Sequence, residues 1–200
     1  MDRTLIFWDV DTQVDFMLPQ GKLYVPGAEA IIPTPARLTD WAARHDVLVV
    51  ASADAHQPDD EEFSLYPPHC LAGTPGQKKI LETMLLPQFI IPNRQHTELA
   101  EAERYRQIII EKQQFDVFTN PNTEALLSRF GKPEIVLYGV VTEICVSAAT
   151  RGLLDRGYRV TVVEDAIRSL DKEHGRTFLD EIRRLGGRVV AADLWLKAAA

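Results

Sequence analysis

The sequence predicts an α/β protein, a three-layer αβα domain built on a doubly wound, mainly parallel sheet of about six strands. Three observations carry this. Apolar runs rich in Val and Ile recur at residues 5–10, 47–51, 108–110, 135–138, 160–163 and 189–191, and read as strands buried on both faces. Stretches with helical spacing lie between them, at residues 29–44, 123–130, 143–156 and 172–185; the last two are followed by Gly157 and by Gly186 and Gly187, which suit helix ends. The two kinds of segment alternate, as right-handed strand–helix–strand crossovers require. One irregular region, residues 57–106, carries six prolines and an acidic run, Asp59, Asp60, Glu61 and Glu62. It is expected to make a long excursion over the sheet edge, with a short helix at 77–84 and a short strand at 89–91.

The 200 residues and 46% hydrophobic content fit a single domain spanning 1–200 with one sizeable core. A net charge of −7, with Lys and Arg spread among acids, argues against a nucleic-acid partner. No apolar run approaches the ~20 residues of a membrane span. The N-terminal stretch MDRTLIFWDVD runs into a charged strand rather than a signal peptide, so the expected location is the cytoplasm. There the two cysteines, Cys70 and Cys145, are expected to stay free thiols.

In an open parallel sheet, ligands bind beyond the carboxyl ends of the strands, so polar residues there carry weight. Asp11 closes the first strand, Asp54 the second and Lys112 the strand at 108–110. Cys145 follows the strand at 135–138 through Gly139, Val140, Val141 and Thr142. Thr142 is placed to cap a helix whose first turn holds Cys145, where free N–H groups and the helix dipole favour a thiolate. Lys112 nearby would lower the thiol pKa further, and Asp11 would take and return a proton. Each residue also has a plainer reading: a helix cap for the acids, a solvated amine for the lysine, a small core residue for the cysteine. A second group is Asp54 and His56, two apart in extended chain, with His69 returning thirteen residues later. Together they make a facial set for a divalent ion, zinc, manganese or iron, or else are surface residues of a loop.

These residues resemble the isochorismatase-like cysteine hydrolases, and within them nicotinamidases and pyrazinamidases most. The opening Leu5-Ile6-Phe7-Trp8-Asp9-Val10-Asp11-Thr12-Gln13-Val14-Asp15-Phe16 is similar to the family's apolar strand and D-x-Q-x-D-F. The segment Gly139-Val140-Val141-Thr142-Glu143-Ile144-Cys145-Val146 resembles its nucleophile turn, G-V-x-T-x-x-C-V. The resemblance implies Asp11, Lys112 and Cys145 as the catalytic residues, a cis peptide between Val140 and Val141, and an oxyanion hole from the N–H groups of Val141 and Cys145. The segments Asp54-Ala55-His56 and Tyr66-Pro67-Pro68-His69-Cys70 are similar to the D-x-H and W-P-x-H-C of nicotinamidases. They imply Asp54, His56 and His69 as metal ligands with Glu62 or Asp60 as a further one, Cys70 as a neighbour of a ligand, and Phe16 and Tyr66 stacking on a substrate ring.

The implied reaction is hydrolysis of a small amide, nicotinamide first, by a homodimer or larger homo-oligomer. Tyr66 in place of Trp, the acidic run before it, and the segment Gln113-Gln114-Phe115-Asp116-Val117-Phe118-Thr119-Asn120 depart from the nicotinamidase pattern. They leave open a relative acting on an N-carbamoyl compound, a ureidoacrylate or isochorismate. A non-catalytic binding module on the same fold is the more distant alternative.

Overall fold

Alternation along the strands decides the layers. In β1 (Leu5–Val10), Ile6, Trp8 and Val10 point into one apolar cluster and Phe7 into another, as the two-residue period of a strand dictates. Both faces are therefore buried, which is why the strands read as unbroken apolar runs. A computed structural model describes residues 4–199 of the chain. Met1 to Arg3, the start of the segment read against a signal peptide, lie outside them.

The other strands are β2 (Leu48–Asp54), β3 (Gln88–Ile91), β4 (Gln107–Lys112), β5 (Glu134–Val140), β6 (Arg159–Arg168) and β7 (Arg188–Val190). They form one sheet in the order β3-β4-β2-β1-β5-β6-β7, parallel at every pairing. Among the described residues the sheet has seven strands, in keeping with the about six expected; the seventh is β3, the short strand expected at 89–91, on the edge. Six helices accompany it: α1 (Val14–Met17), α2 (Pro33–Arg44), α3 (Thr123–Ser128), α4 (Ser147–Asp155), α5 (Lys172–Arg184) and α6 (Ala192–Ala198). Leu126, Leu153, Phe178 and Ile182 of α3, α4 and α5 cover one face. Leu38, Ala42, Ala192 and Trp195 of α2 and α6 cover the other, where Phe7 stacks on Trp41 at 5.6 Å and meets Trp195 edge-on at 5.1 Å. Among the described residues no helix is long and apolar enough to cross a membrane.

Three local expectations are corrected. The helix expected at 29–44 is a 3-10 turn, Ala28–Ile31, followed by α2. Pro33 lacks an N–H to continue a helix, but its fixed φ suits the first position of a new one. The helix expected at 77–84 is two 3-10 turns, Pro75–Gln77 and Leu81–Thr83, because the chain between them pairs with the segment after β1. Val14 N–H donates to Lys78 O and Ile80 N–H to Thr12 O, while Lys79 Nζ reaches the buried Asp9 carboxylate at 2.6 Å. The segment after β5 begins not as an α-helix but as a π-helical turn, Thr142–Val146, that passes into α4.

β1 and β5 are neighbours, yet β1 leads to β2 on one side and β5 to β6 on the other. Their carboxyl ends flank the topological switch point, the crevice where such sheets bind ligands. Gly139 of β5 lies directly opposite Val10, with φ of 125° and so little room that a Cβ would overlap the Val10 carbonyl. This close approach brings the turn after β5 against the residue after β1.

Candidate active site and metal centre

Four strand ends converge at that crevice. Asp54 and Lys112 are register partners at the ends of β2 and β4. Asp11 follows β1 in the left-handed region, φ 49°, a conformation Asp tolerates better than most residues. The Lys112 ammonium sits at the centre: 2.9 Å from Asp11 Oδ2, hydrogen-bonded to Asp54 Oδ1, and 3.6 Å from Cys145 Sγ. All four are buried. Ser52 Oγ donates to Asp11 Oδ1 at 2.6 Å and holds the carboxylate in place. Asp11 Oδ2 faces the Lys112 ammonium but carries no aligned hydrogen bond. The peptide between Val140 and Val141 is cis, as the resemblance implies.

Electrostatics correct one expectation. Burial pushes the Cys145 thiol well above its ordinary range, and Lys112 does not bring it back. Lys112 pulls the thiol down, but burial outweighs it and the Asp11 and Asp54 carboxylates push the thiol up; the same two carboxylates hold Lys112 well above its usual value against the burial that would lower it. Thr142 also fails as a cap, since Val141 occupies the capping position and Thr142 Oγ1 is buried without a partner. Resting Cys145 is a thiol, and the base beside it must activate it. Burial likewise raises Asp11, against the pull of Lys112, which makes it a better proton acceptor than an ordinary carboxylate.

The second group also assembles. Ligand atoms of Asp54, His56 and His69 lie within 4.8 Å of one another, and both imidazole Nε2 atoms are buried with no hydrogen-bond partner. Each Nδ1 is committed elsewhere: His69 Nδ1–H donates to Pro67 O at 2.9 Å, and His56 Nδ1 faces Asp60 Oδ2 at 3.0 Å. This fixes Nε2 of His69 as the free lone pair and aims both rings inward, as the outer partners of metal-bound histidines do. Burial works against charge on His56, yet Asp54 and Asp60 outweigh it and raise the imidazole to about 9, while burial lowers His69 and keeps its imidazole a free base. The donor set of one carboxylate and two imidazoles fits a divalent transition ion. Glu62 Oε1 lies 3.7 Å from His69 Nε2, beside the group. Asp60 is spent on His56 and on the Glu62 N–H, and supports the site from outside.

The motif residues Gln13 and Asp15 had no role assigned from sequence, and the structure supplies one. Gln13 clamps the end of β2: its Nε2 donates to Asp54 O at 2.8 Å and to Gln77 O at 2.7 Å, and its Oε1 accepts from Asp54 N at 2.7 Å. Asp15 Oδ2 accepts from Cys70 N at 2.7 Å and so ties down the residue after His69. The signal was the run of polar residues 11, 13 and 15 directly after an apolar strand, at the edge where such sheets carry their chemistry. Gln13→Ala is expected to weaken zinc binding roughly 10- to 100-fold, as loss of supporting contacts commonly does. Competition with a chelating dye measures it, and an unchanged affinity would remove this role from Gln13.

A small pocket, with a cavity volume of about 80 Å³, opens over Cys145, with Asp11, Asp54 and His69 in its wall. Phe16 and Tyr66 line it, as expected, and so do Leu23, Val25, Phe115, Ile144 and Leu170, which sequence reasoning did not place there. Tyr66 meets Phe115 edge-on at 6.3 Å. The segment that departs from the nicotinamidase pattern after Lys112 thus supplies part of the pocket mouth.

Residues 4–193 match the model of the Isochorismatase domain family. An uncharacterised isochorismatase family protein of Bacillus subtilis is 31% identical over 172 residues, covering 82% of this chain and 86% of its own. A nicotinamidase of Saccharomyces cerevisiae is 25% identical over 198 residues, covering 86% and 90%. Among solved structures, the pyrazinamidase of Pyrococcus horikoshii in complex with zinc superposes with a TM-score of 0.80 at 25% identity, over 94% of this chain and 99% of that one. With the family model spanning nearly its whole length, this chain belongs to the isochorismatase family.

Proposed function

We propose that this hydrolase cleaves the C–N bond of a small amide, with nicotinamide giving nicotinate and ammonia as the first candidate. The observation that carries the reading is Lys112 set between the Asp11 carboxylate and the Cys145 thiol, 2.9 and 3.6 Å away, at the floor of an apolar pocket. Asp11 takes the thiol proton as Cys145 Sγ attacks the amide carbonyl. The N–H groups of Val141 and Cys145 receive the developing oxyanion, a contribution commonly on the order of 3 kcal/mol per donor. Asp11 then hands the proton to the leaving nitrogen, ammonia departs, and a thioester remains on Cys145. Water, deprotonated by Asp11, cleaves the thioester to the acid and restores the thiol. Lys112 keeps Asp11 and Asp54 ionised between turnovers.

Asp54, His56 and His69, with Glu62 beside them, would hold a divalent ion, which supplies a Lewis-acid position for a lone pair of the substrate ring. Phe16 and Tyr66 flank that position as aromatic walls. The nicotinamidase named above and the zinc-bound pyrazinamidase support both parts of the reading.

Ammonia release from nicotinamide, with and without a chelator, tests it. The expected result is turnover by the metal-loaded protein and a large loss after chelation, restored by zinc, manganese or iron. Turnover of other amides but not nicotinamide would transfer the assignment to a related substrate. A protein that is fully active and metal-free would remove the metal from it.

A further inference from the structure

The nucleophile turn carries one acid without a role in the chemistry above, Glu143. Its Oε1 accepts the backbone N–H groups of both Leu170 and Asp171, each at 2.9 Å, across 27 and 28 residues of sequence. Its Oε2 is buried with no partner. Hydrogen bonds to a carboxylate are stronger than neutral ones, and two converge here on a single oxygen. The segment they hold joins β6 to α5, and Asp171 caps that helix, accepting from Glu173 N and His174 N at 2.8 Å. Between these two fastenings Leu170 is 57% exposed, and it lines the pocket that Ile144 and Cys145 also line. Tyr66 and Phe115, in edge-on contact with each other, line the same pocket.

We infer that Leu170 is a specificity-determining lip of the pocket, selecting substrates with an uncharged apolar or aromatic flank, and that Glu143 is the positioning residue that holds it there. The inference rests on the reading of Cys145 as the pocket nucleophile. Glu143 belongs to the same turn as Cys145, so the lip is referenced to the nucleophile itself rather than to the distant end of α5. Asp171 alone would keep the helix capped while leaving Leu170 free to swing away from the mouth.

The test compares alkylation of Cys145 by iodoacetamide and by N-phenyl iodoacetamide, with the labelled residue identified by mass spectrometry. Cys70 does not compete, because it is fully buried and, unlike Cys145, does not line the pocket. Leu170→Ala is expected to lower the ratio of aromatic to small reagent roughly fivefold, the scale of losing a few methylene contacts in a pocket. Glu143→Ala should lower it equally, Glu143→Gln should restore it because the amide oxygen still accepts both N–H groups, and the Glu143→Ala/Leu170→Ala pair should fall no further than either alone. A purely structural role for Glu143 would instead change both rates together and add to the Leu170 effect. An unchanged ratio in Leu170→Ala, or equal slowing of both reagents in Glu143→Ala, overturns the inference. Leu170→Ala alters an exposed side chain and Glu143→Gln keeps the acid's shape, so both variants hold the test open if Glu143→Ala misfolds. The readout needs no amide turnover, so failure to hydrolyse nicotinamide would count against the substrate assignment alone.

Discussion

Cys145→Ala is expected to lower amide turnover by roughly three to six orders of magnitude, the range seen when the nucleophile of a coupled catalytic set is removed. Its bound metal should be unchanged, because Sγ faces Lys112 and not the Asp54, His56 and His69 cluster. Elemental analysis and ammonia release on one preparation check both halves. The same chemistry sets an acid limb. Asp11 acts as base only when ionised, and burial raises its pKa, so kcat/KM should fall with decreasing pH at higher pH than an ordinary carboxylate near 4 would give. Asp11→Asn should remove that limb along with most of the rate. An active Cys145→Ala variant would sink the mechanism, and an acid limb at the ordinary carboxylate value would leave Asp11 without the part given to it.

How far the sequence carried the site depended on the kind of information each residue needed. Asp11, Asp54, Lys112 and Cys145 were legible because a parallel sheet exposes its chemistry at strand ends, and apolar runs mark where strands end. Their distances were not legible, and distances reversed the thiol assignment. Lys112, three strands along the sheet from β5, does pull the thiol down, but burial outweighs it, and the Asp11 and Asp54 carboxylates gathered at the same strand ends push the thiol up. Gln13 and Asp15 were visible in the motif but silent, since their partners, the backbones of Asp54, Gln77 and Cys70, lie 41, 64 and 55 residues away. The pocket mouth was hardest to read. Phe115 and Leu170 stand on loops, where no periodicity marks an inward side, and an exposed leucine looks the same in sequence whether it edges a pocket or faces water. The segment at 77–84 misled for a related reason: its backbone hydrogen bonds go to Thr12 and Val14, far outside any local window.

Lys112→Met should be the most destabilising of the substitutions considered, because it leaves Asp11 and Asp54 buried without their shared counter-ion. Breaking one side of a buried ion pair costs about 3–5 kcal/mol. In a protein of this size that is a fall in Tm of roughly 6–20 °C. The cost should depend on pH, and its sign follows from the two carboxylates. In the parent protein burial acts to raise Asp54, but Lys112 outweighs it and holds the group below its usual value, so its ionised form contributes stability above pH 4 or so. Without Lys112 burial prevails at Asp54, and Asp11, already raised, goes higher. A carboxylate whose folded pKa exceeds its unfolded value contributes most when protonated, and that contribution is lost as pH rises through the folded pKa. The gap between variant and parent should therefore be small near pH 4 and widen toward neutrality. Urea titrations of both proteins with chelator present, across that interval, measure it. A divalent ion restores part of the missing charge at Asp54, so adding zinc should narrow the gap at neutral pH and leave it nearly unchanged at pH 4, where a proton on His56 competes with the ion. A pH-independent gap would mean that Lys112 acts by filling space and not by charge, and the electrostatic account of the triad would fall with it.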